Sequence, residues 1–174
     1  ANTTGVQNTA CGDNALAANT EGNTNAGFGI GALDANTTGS DNTACGAYAL
    51  STATTASNNT GVGKFALFAN TTGADNVAVG SGALQANTTA SNNVAIGRVA
   101  MTTNTTGAGN VAVGLSALRF NTTGANLVAI GSSALMANTT ASNNTAVGAA
   151  ALTANTTGGE LAAFGLSSLQ ANTT

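Results

Sequence analysis

The stretch from Asn76 to Gly97 reads NVAVGSGALQANTTASNNVAIG, and it contains the segment N-V-A-[VI]-G twice, 17 residues apart. The same spacing extends through all 174 residues without an insertion, with the consensus ANTTGxxNxAΦGxxALx, where Φ is apolar. A fixed period predicts one structural unit per repeat, so we expect a single domain, residues 1–174, of ten full repeats and a partial eleventh. The full repeats begin at residues 1, 18, 35, 52, 69, 86, 103, 120, 137 and 154.

We number the positions of the repeat as columns 1 to 17, because a strict period places equal positions of successive repeats in one row of touching residues. Columns 11 and 16 are apolar in every repeat, which predicts that both face inward and form the core. Column 11 contains Cys11, Phe28, Cys45, Val62, Val79, Ile96, Val113, Ile130, Val147 and Phe164. Column 16 contains Leu16, Leu33, Leu50, Leu67, Leu84, Met101, Leu118, Leu135, Leu152 and Leu169.

Columns 10 and 15 are almost entirely alanine, with Gly27, Gly61 and Ser168 as the exceptions. Column 10 has the opposite parity to column 11, so in a strand it faces the other way. A row of alanines beside the unbroken glycine row of column 12 would let another chain approach closely. We therefore expect lateral self-association, as a trimer or a larger bundle, with a fit to a narrow coil as the alternative reason for these small residues.

The segment N-[TV]-A-[VIC]-G alternates, contains β-branched residues and is bounded by asparagine and glycine, which predicts a strand. The segment A-L-x-A-N-T-T is predicted as a second strand, with one helical turn as the alternative because alanine and leucine favour helices. The predicted fold class is all-β, a parallel β-solenoid (β-roll or β-helix) with one 17-residue coil per repeat. At a strand spacing of about 4.8 Å, ten coils would make a rod about 48 Å long.

The N-T-T rows are predicted turns, since asparagine tolerates left-handed backbone and glycine reaches positive φ at little cost. Three repeats have alanine instead of glycine in column 5, and all three read A-S-N-N. We expect the unusual backbone angle to pass there to the asparagine of column 7, namely Asn58, Asn92 and Asn143. Stacked asparagine rows should extend the ladder through their side-chain amides, with Ala53 interrupting one row and Leu127 and Leu161 another.

Composition argues against several classes of function. The chain has no histidine, so it lacks the side chain best suited to proton transfer near neutral pH. Its six acidic residues form no pair at a fixed offset, which predicts a non-enzymatic protein without metal or cofactor. Three basic residues cannot neutralise a run of phosphates, so nucleic acid is not an expected partner. No stretch approaches 18 apolar residues, so no membrane span is expected.

Two cysteines, Cys11 and Cys45, occupy the same column two repeats apart. The predicted stack separates them by about 9.6 Å, whereas a disulfide needs Cα atoms within about 7 Å. We therefore expect them not to pair with each other, and to be buried thiols that act as small hydrophobic side chains.

Asparagine and threonine also suggest two surface functions. Nine N-T-T triplets, and residues 58–60 and 143–145, match the N-glycosylation acceptor sequence. We interpret them as a turn ladder, since glycans on successive coils would be only about 4.8 Å apart; sparse modification is the alternative. Threonine rows suggest ice binding, but adjacent Thr3 and Thr4 would point to opposite faces of a strand. Ice binding or glycan binding by the solenoid is the alternative function.

Five larger side chains in variable columns are candidate contact residues. Tyr48, Phe65 and Phe68 lie in neighbouring repeats, and Phe120 and Met136 lie farther along the chain. Exposed apolar groups of this kind often mark contacts. We expect them to dock another chain, a receptor or a glycan, with packing inside a fibre as the alternative.

The units within residues 76–97 resemble the NTAxGxxALxxNTTG repeats of bacteriophage tail-fibre and bacterial surface proteins. The [NS]-x-A-[VI]-G core is also similar to the head repeats of trimeric autotransporter adhesins, which form parallel β-rolls in trimers, although their period differs from 17 residues. The resemblance implies a structural fibre or adhesin shaft, extracellular or on a virion or cell surface. The first and last repeats follow the consensus, whereas the terminal units of a finished solenoid normally carry atypical polar caps. We therefore expect, besides lateral self-association, a segment of a longer fibre or a subunit that stacks end to end, with a host-surface or glycan ligand as a further expected partner.

Overall fold

The computed structural model describes residues 2–174, and Ala1, the predicted start of the first repeat, lies outside them. Every repeat contributes one strand of three residues, and no helix occurs among the described residues. The strands are β1 (Thr9–Cys11), β2 (Ala26–Phe28), β3 (Thr43–Cys45), β4 (Thr60–Val62), β5 (Val77–Val79), β6 (Val94–Ile96), β7 (Val111–Val113), β8 (Val128–Ile130), β9 (Thr145–Val147) and β10 (Ala162–Phe164).

The ten strands form a single parallel sheet in the order β1 to β10. Each pairing shifts the register by one repeat, so that Val77 lies opposite Val94 and Val94 lies opposite Val111. The predicted all-β parallel β-solenoid with one 17-residue coil per repeat is therefore confirmed. Below, each repeat is a coil, numbered 1 to 10 along the chain.

The rest of each coil consists of turns, so the second strand predicted over A-L-x-A-N-T-T is wrong, and the helical alternative is also absent from the described coils. The residues of column 16 have φ angles of 48–54°, in the left-handed region. This region costs an ordinary residue about 1–2 kcal/mol. The side chain of this column, leucine or Met101, is nevertheless buried in coils 2 to 9. This burial offsets the cost of the left-handed backbone, which changes the direction of the chain more sharply than extended backbone could.

Column 7 is left-handed in every coil, including coils that have glycine in column 5, such as those of Asp41 and Asp75. Asn58, Asn92 and Asn143 do have positive φ, of 60–62°. No glycine of column 5 does. The expectation that the unusual angle passes from column 5 to column 7 in the A-S-N-N repeats is therefore wrong, because the corner always lies at column 7.

The core consists of columns 10, 15 and 16, which are buried from coil 2 to coil 9. The small side chains of column 10 lie beneath the leucines: a Cβ added at Gly27 would be 3.5 Å from Cγ of Leu16, an ordinary van der Waals distance. In column 16 the side chains from Leu33 to Leu152 are fully buried and Leu16 is 7% exposed. Leu169, in coil 10, is 50% exposed, so its predicted burial is wrong.

The prediction that column 11 faces inward is wrong. Phe28, Ile96 and Ile130 are 40–42% exposed, and the valines of this column are half-buried. Because successive side chains of a strand alternate, a three-residue strand points only its central residue, column 10, into the coil. The corrected residues are Cys11, Phe28, Cys45, Val62, Val79, Ile96, Val113, Ile130, Val147 and Phe164.

This reversal also removes the close-approach surface expected at columns 10 and 15. Their alanines are buried inside the chain's own coil, for example Ala95 and Ala100, each with no exposed surface. Of the two reasons considered for these small residues, the structure favours the fit to a narrow coil. Any lateral contact therefore has to use other columns.

Column 12 is glycine in all ten coils, and its backbone has φ angles of 113–141°. Residues other than glycine rarely adopt this backbone conformation. The coils also touch at this point: a Cβ on Gly114 would lie 2.6 Å from the carbonyl carbon of Gly131 in the next coil. Both the conformation and the contact exclude a larger residue, which explains the unbroken glycine row.

Two asparagine columns complete the interior. In column 2 each amide donates to the Oδ1 of the preceding coil wherever that coil has an asparagine, as Asn87 does to Asn70 at 2.8 Å. In column 8 the side-chain oxygen accepts the backbone N–H of the next coil, as Asn59 does from Asn76 at 3.0 Å. These asparagines are fully buried between coils 3 and 9. The expected extension of the ladder by side-chain amides is present, and it satisfies polar groups that would be costly to bury alone.

Candidate contact surface

The outward side chains of the ten strands form the main apolar surface, which we call the outer strand face and define as columns 9 and 11. Its centre, coils 5 to 8, carries only valine and isoleucine in these columns. Toward both ends column 9 changes to threonine or alanine. The central side chains are Val77, Val79, Val94, Ile96, Val111, Val113, Val128 and Ile130.

The outer strand face is partly exposed over its whole length, with Ile96 at 41% and Ile130 at 40%. Its geometry follows from the sheet: parallel strands in register place each column in a straight row, in which successive residues are about 4.8 Å apart. Sequence reasoning assigned column 11 of this face to the core and made no such assignment for column 9. The signal that could have placed them is the alanine of column 10, which is small enough to lie opposite leucine in a narrow interior.

Cys11 and Cys45 lie on the outer strand face as free, exposed thiols. The prediction that they are buried is therefore wrong, for the same reason of parity that moves the rest of column 11 outward. The two cysteines lie in coils 1 and 3, which are separated by coil 2, whose residue in column 11 is Phe28.

Three of the predicted contact residues form one cluster. The rings of Tyr48 and Phe65 stack at 5.7 Å between centroids, with 17° between their planes. Phe68 meets Phe65 edge to face at 5.4 Å, and Lys64 Nζ lies 4.9 Å from the centroid of the Phe65 ring. A Cβ added at Gly31 would be 2.7 Å from Cδ1 of Tyr48, so that ring also packs over Gly31. These contacts cover ring faces that a sugar would need for stacking.

Phe120 and Met136 lie together in coil 8, where the backbone N–H of Phe120 donates to the Met136 carbonyl at 3.1 Å. Phe120 is 42% exposed, and the Arg119 guanidinium lies 5.1 Å from its ring centroid. Phe65 and Phe120 are separated by about three and a quarter turns of the solenoid, which places them about 16 Å apart along the stack. The structure thus separates the five predicted contact residues into two groups.

The threonine rows differ in what their hydroxyls do. In column 3 the hydroxyl donates to the carbonyl of the next coil, as Thr71 does to Thr88 at 3.1 Å. In column 4 the threonines are exposed in coils 3 to 10. A water-ordering array would therefore have only column 4 as a row of free hydroxyl groups.

The acceptor asparagines of the N-T-T triplets are buried in the interior ladder wherever both neighbouring coils are present, as at Asn87 and Asn104. Asn58 and Asn143 are instead exposed in column 7. The folded chain thus offers these two acceptor sequences, in coils 4 and 9, to solvent, while the N-T-T rows serve as a structural ladder.

No pocket is found in residues 2–174, and no group of three or more histidine, cysteine, aspartate or glutamate side chains is placed to hold a metal ion there. In the same part of the chain, no helix is long and apolar enough to cross a bilayer.

Comparison with known proteins adds no assignment: no family model, curated protein or solved structure matches the chain significantly.

Proposed function

We propose that this chain is a non-enzymatic structural segment of an extracellular fibre, an adhesin or tail-fibre shaft on a cell or virion surface. The observation that carries the proposal is the uninterrupted ladder of ten in-register parallel strands. The repeats contain no insertion that could form a binding loop. A stack of this kind provides length and stiffness rather than a concave site.

The bonds between coils run along the axis of the stack. Backbone groups alternate in direction: the Leu84 N–H donates to Ala100 O in the following coil at 3.0 Å, and the Val99 N–H donates to Ser81 O in the preceding coil at 3.0 Å. Asparagine and threonine side chains add bonds parallel to them. Bending the stack would strain many such bonds together, which suits a shaft that bears load along its length.

Lateral self-association is the second part of the proposal, and it uses the outer strand face. Columns 9 to 11 of the ten strands span about 10 Å by 48 Å, or roughly 480 Å². A stable interface of standard size buries about 800 Å² per partner, so this face can form the centre of a contact with one neighbour, which exposed side chains of column 13 such as Leu115 would extend. A second copy is the partner that fits it, because only a surface with the same spacing of about 4.8 Å can interdigitate at every coil.

Sedimentation velocity tests the lateral contact. The double variant Val94→Asp/Val111→Asp places two charges in the centre of the face, and the control Asn92→Asp/Asn126→Asp adds the same charge in exposed column 7. We expect wild type and control to sediment as oligomers, and the face variant to sediment as a folded single chain. Circular dichroism establishes that both variants retain the β-structure.

Two outcomes would contradict the proposal. A wild-type chain that stays single at all accessible concentrations would exclude lateral association through any face. An oligomer that survives Val94→Asp/Val111→Asp unchanged would show that the contact lies elsewhere on the coil. For the fibre itself, electron micrographs of the full natural product should show long rods with an axial repeat of about 4.8 Å, and short discrete particles would argue against it.

A further inference from the structure

We propose that one buried water molecule binds beside Ala53, between Asn36 and Asn70, and replaces the asparagine amide that the column 2 ladder lacks in coil 4. The site follows from the regularity of the ladder on both sides of it. It is independent of whether the chain belongs to a fibre.

The regular ladder defines what each amide does. From coil 2 onward, Nδ2 of each column 2 asparagine donates to the Oδ1 of the preceding coil where that residue is asparagine, at 2.7–3.3 Å. The same Nδ2 donates to the column 5 carbonyl of its own coil, as Asn87 does to Ala90 at 2.9 Å. One amide thus links two coils and one turn.

Ala53 interrupts this chain, and the consequence below it is an unpaired acceptor. The Oδ1 of Asn36 is buried and has no hydrogen-bond partner. Both Nδ2 protons of Asn36 are already engaged, with Asn19 Oδ1 at 2.7 Å and Gly39 O at 2.9 Å. Rotating the amide by 180° would break both bonds, so Asn36 Oδ1 is fixed toward coil 4.

Above Ala53 the ladder lacks an acceptor. Asn70 Nδ2 donates one proton to Gly73 O at 2.9 Å. The proton that goes to the preceding Oδ1 in other coils points toward the Ala53 methyl group instead, because alanine has no side-chain oxygen. The buried interior at this point therefore contains a donor as well as an acceptor in need of a partner.

A third group comes from the turn of coil 4. Gly39 O, in coil 3, accepts from two amides, Asn25 at 2.8 Å and Asn36 at 2.9 Å. The equivalent Ala56 O accepts from Asn42 at 2.8 Å, and the column 2 amide that would be its second donor is missing at Ala53. A carbonyl has two lone pairs, so Ala56 O can accept one more bond.

The two acceptors match a water molecule at the position of the missing Nδ2, which donates one hydrogen bond to Asn36 Oδ1 and one to Ala56 O. Asn70 Nδ2 lies one coil spacing away, about 4.8 Å, so its free amide proton faces the water without bonding to it directly. Buried waters typically make about three hydrogen bonds to such groups, and each fills about 30 Å³, roughly the size of a carboxamide. The two acceptor oxygens would repel an anion, and the nearby Asn70 N–H disfavours a bare cation. A neutral molecule that donates two hydrogen bonds therefore fits the site.

The site cannot close by collapse. Backbone bonds from Thr37 N–H to Thr54 O at 2.9 Å, and from Thr54 N–H to Thr71 O at 3.2 Å, hold coils 3, 4 and 5 together beside it. The distances between the three polar groups are therefore set by the coil stack. The groups remain where an asparagine amide would have met them.

Oxygen-17 magnetic relaxation dispersion, which counts long-lived internal waters, tests the proposal on the wild-type chain and on Ala53→Asn. We expect Ala53→Asn to hold one long-lived water fewer, because its Nδ2 takes over both bonds of the water. The matched variant Asn121→Ala adds a second interruption of the same kind in coil 8 and should hold one water more. In the wild type, the Asn70 side-chain amide protons should show cross-relaxation with water.

Equal numbers of long-lived waters in wild type and Ala53→Asn would overturn the proposal. So would the absence of water cross-relaxation at the Asn70 amide, which needs no variant and remains decisive if Ala53→Asn fails to fold. A completed ladder should also raise the melting temperature of Ala53→Asn by about 2–4 °C. A lower melting temperature would mean that the amide does not fit the site, and would likewise count against it.

Discussion

Asn104 and Asn87 lie in neighbouring coils, and Nδ2 of Asn104 donates a hydrogen bond to Oδ1 of Asn87 at 3.1 Å inside the solenoid. Both side chains are fully buried. The interior is therefore held together partly by amide ladders, and only partly by the leucine and alanine columns. Burying this many amides is tolerated because neighbouring coils pair nearly all of them.

Replacing Asn104 by alanine should destabilise the fold, because it leaves Asn87 Oδ1 without its donor and removes the bond to Gly107 O. An unpaired buried polar group costs about 1–3 kcal/mol, less whatever a bound water restores. Urea unfolding followed by circular dichroism measures the change. Thr106→Ala, at an exposed position of the same coil, is the control and should change the free energy of unfolding little.

The reversed parity of columns 10 and 11 has its own test. Ala112→Val adds two methyl groups at a fully buried position, and overpacking of this kind costs about 1–3 kcal/mol. Val113→Ala, one residue later on the outer strand face, should cost much less in the monomer because Val113 is already half-exposed. If Val113→Ala were the more destabilising change, the assignment of column 10 to the core would be wrong.

Glycine should be indispensable in column 12 and replaceable in column 7. Gly114→Ala places a Cβ 2.6 Å from the Gly131 carbonyl carbon at a φ of 136°, so we expect a large loss of thermal stability. Gly109→Asn is the matched control, since Asn126 occupies the same column in the next coil with a φ of 55°. Differential scanning calorimetry should show a lower melting temperature for the first variant and little change for the second.

The aromatic cluster should contribute to stability more than to binding. Phe65→Ala removes the stacked contact with Tyr48 and the edge contact with Phe68. Aromatic pairs contribute about 0.5–1.5 kcal/mol each beyond their buried area, so the expected loss is about 1–3 kcal/mol. Phe120→Ala, which removes a more exposed ring, should cost less by thermal unfolding. If both variants lost the same free energy of unfolding, the ring contacts of the cluster would add no stability beyond that of a more exposed ring.

Thiol reactivity connects the fold to the proposed assembly. In the single-chain variant Val94→Asp/Val111→Asp, both Cys11 and Cys45 should react with a bulky thiol reagent without unfolding, because both are exposed on the outer strand face. If the wild type assembles as proposed, the same reaction should be slower in it, since a neighbour would then cover that face. Thiols that react only after unfolding would contradict the outward orientation of column 11.

The fold class was predictable because the period is strict. When every repeat has 17 residues, equal positions stack in register, and the strand segment from Asn76 to Gly80 specifies a parallel ladder. The ladder role of the asparagines and its interruption at Ala53 were also readable, since these follow from which residue occupies a column. The five candidate contact residues were identified by size and position, but their division into two groups depends on the stack.

The strict 17-residue period can be read directly from the sequence. It was therefore enough to predict a stack of equal coils. The direction in which a column points is a property of the whole coil. Column 10, with Ala95, and column 11, with Ile96, are both apolar, so alternation permits either to face inward. The choice depends on the space opposite the leucine column, which exists only once the left-handed corners at columns 7, 14 and 16 have closed the coil. That interior is wide enough for alanine against leucine, and isoleucine is left outside.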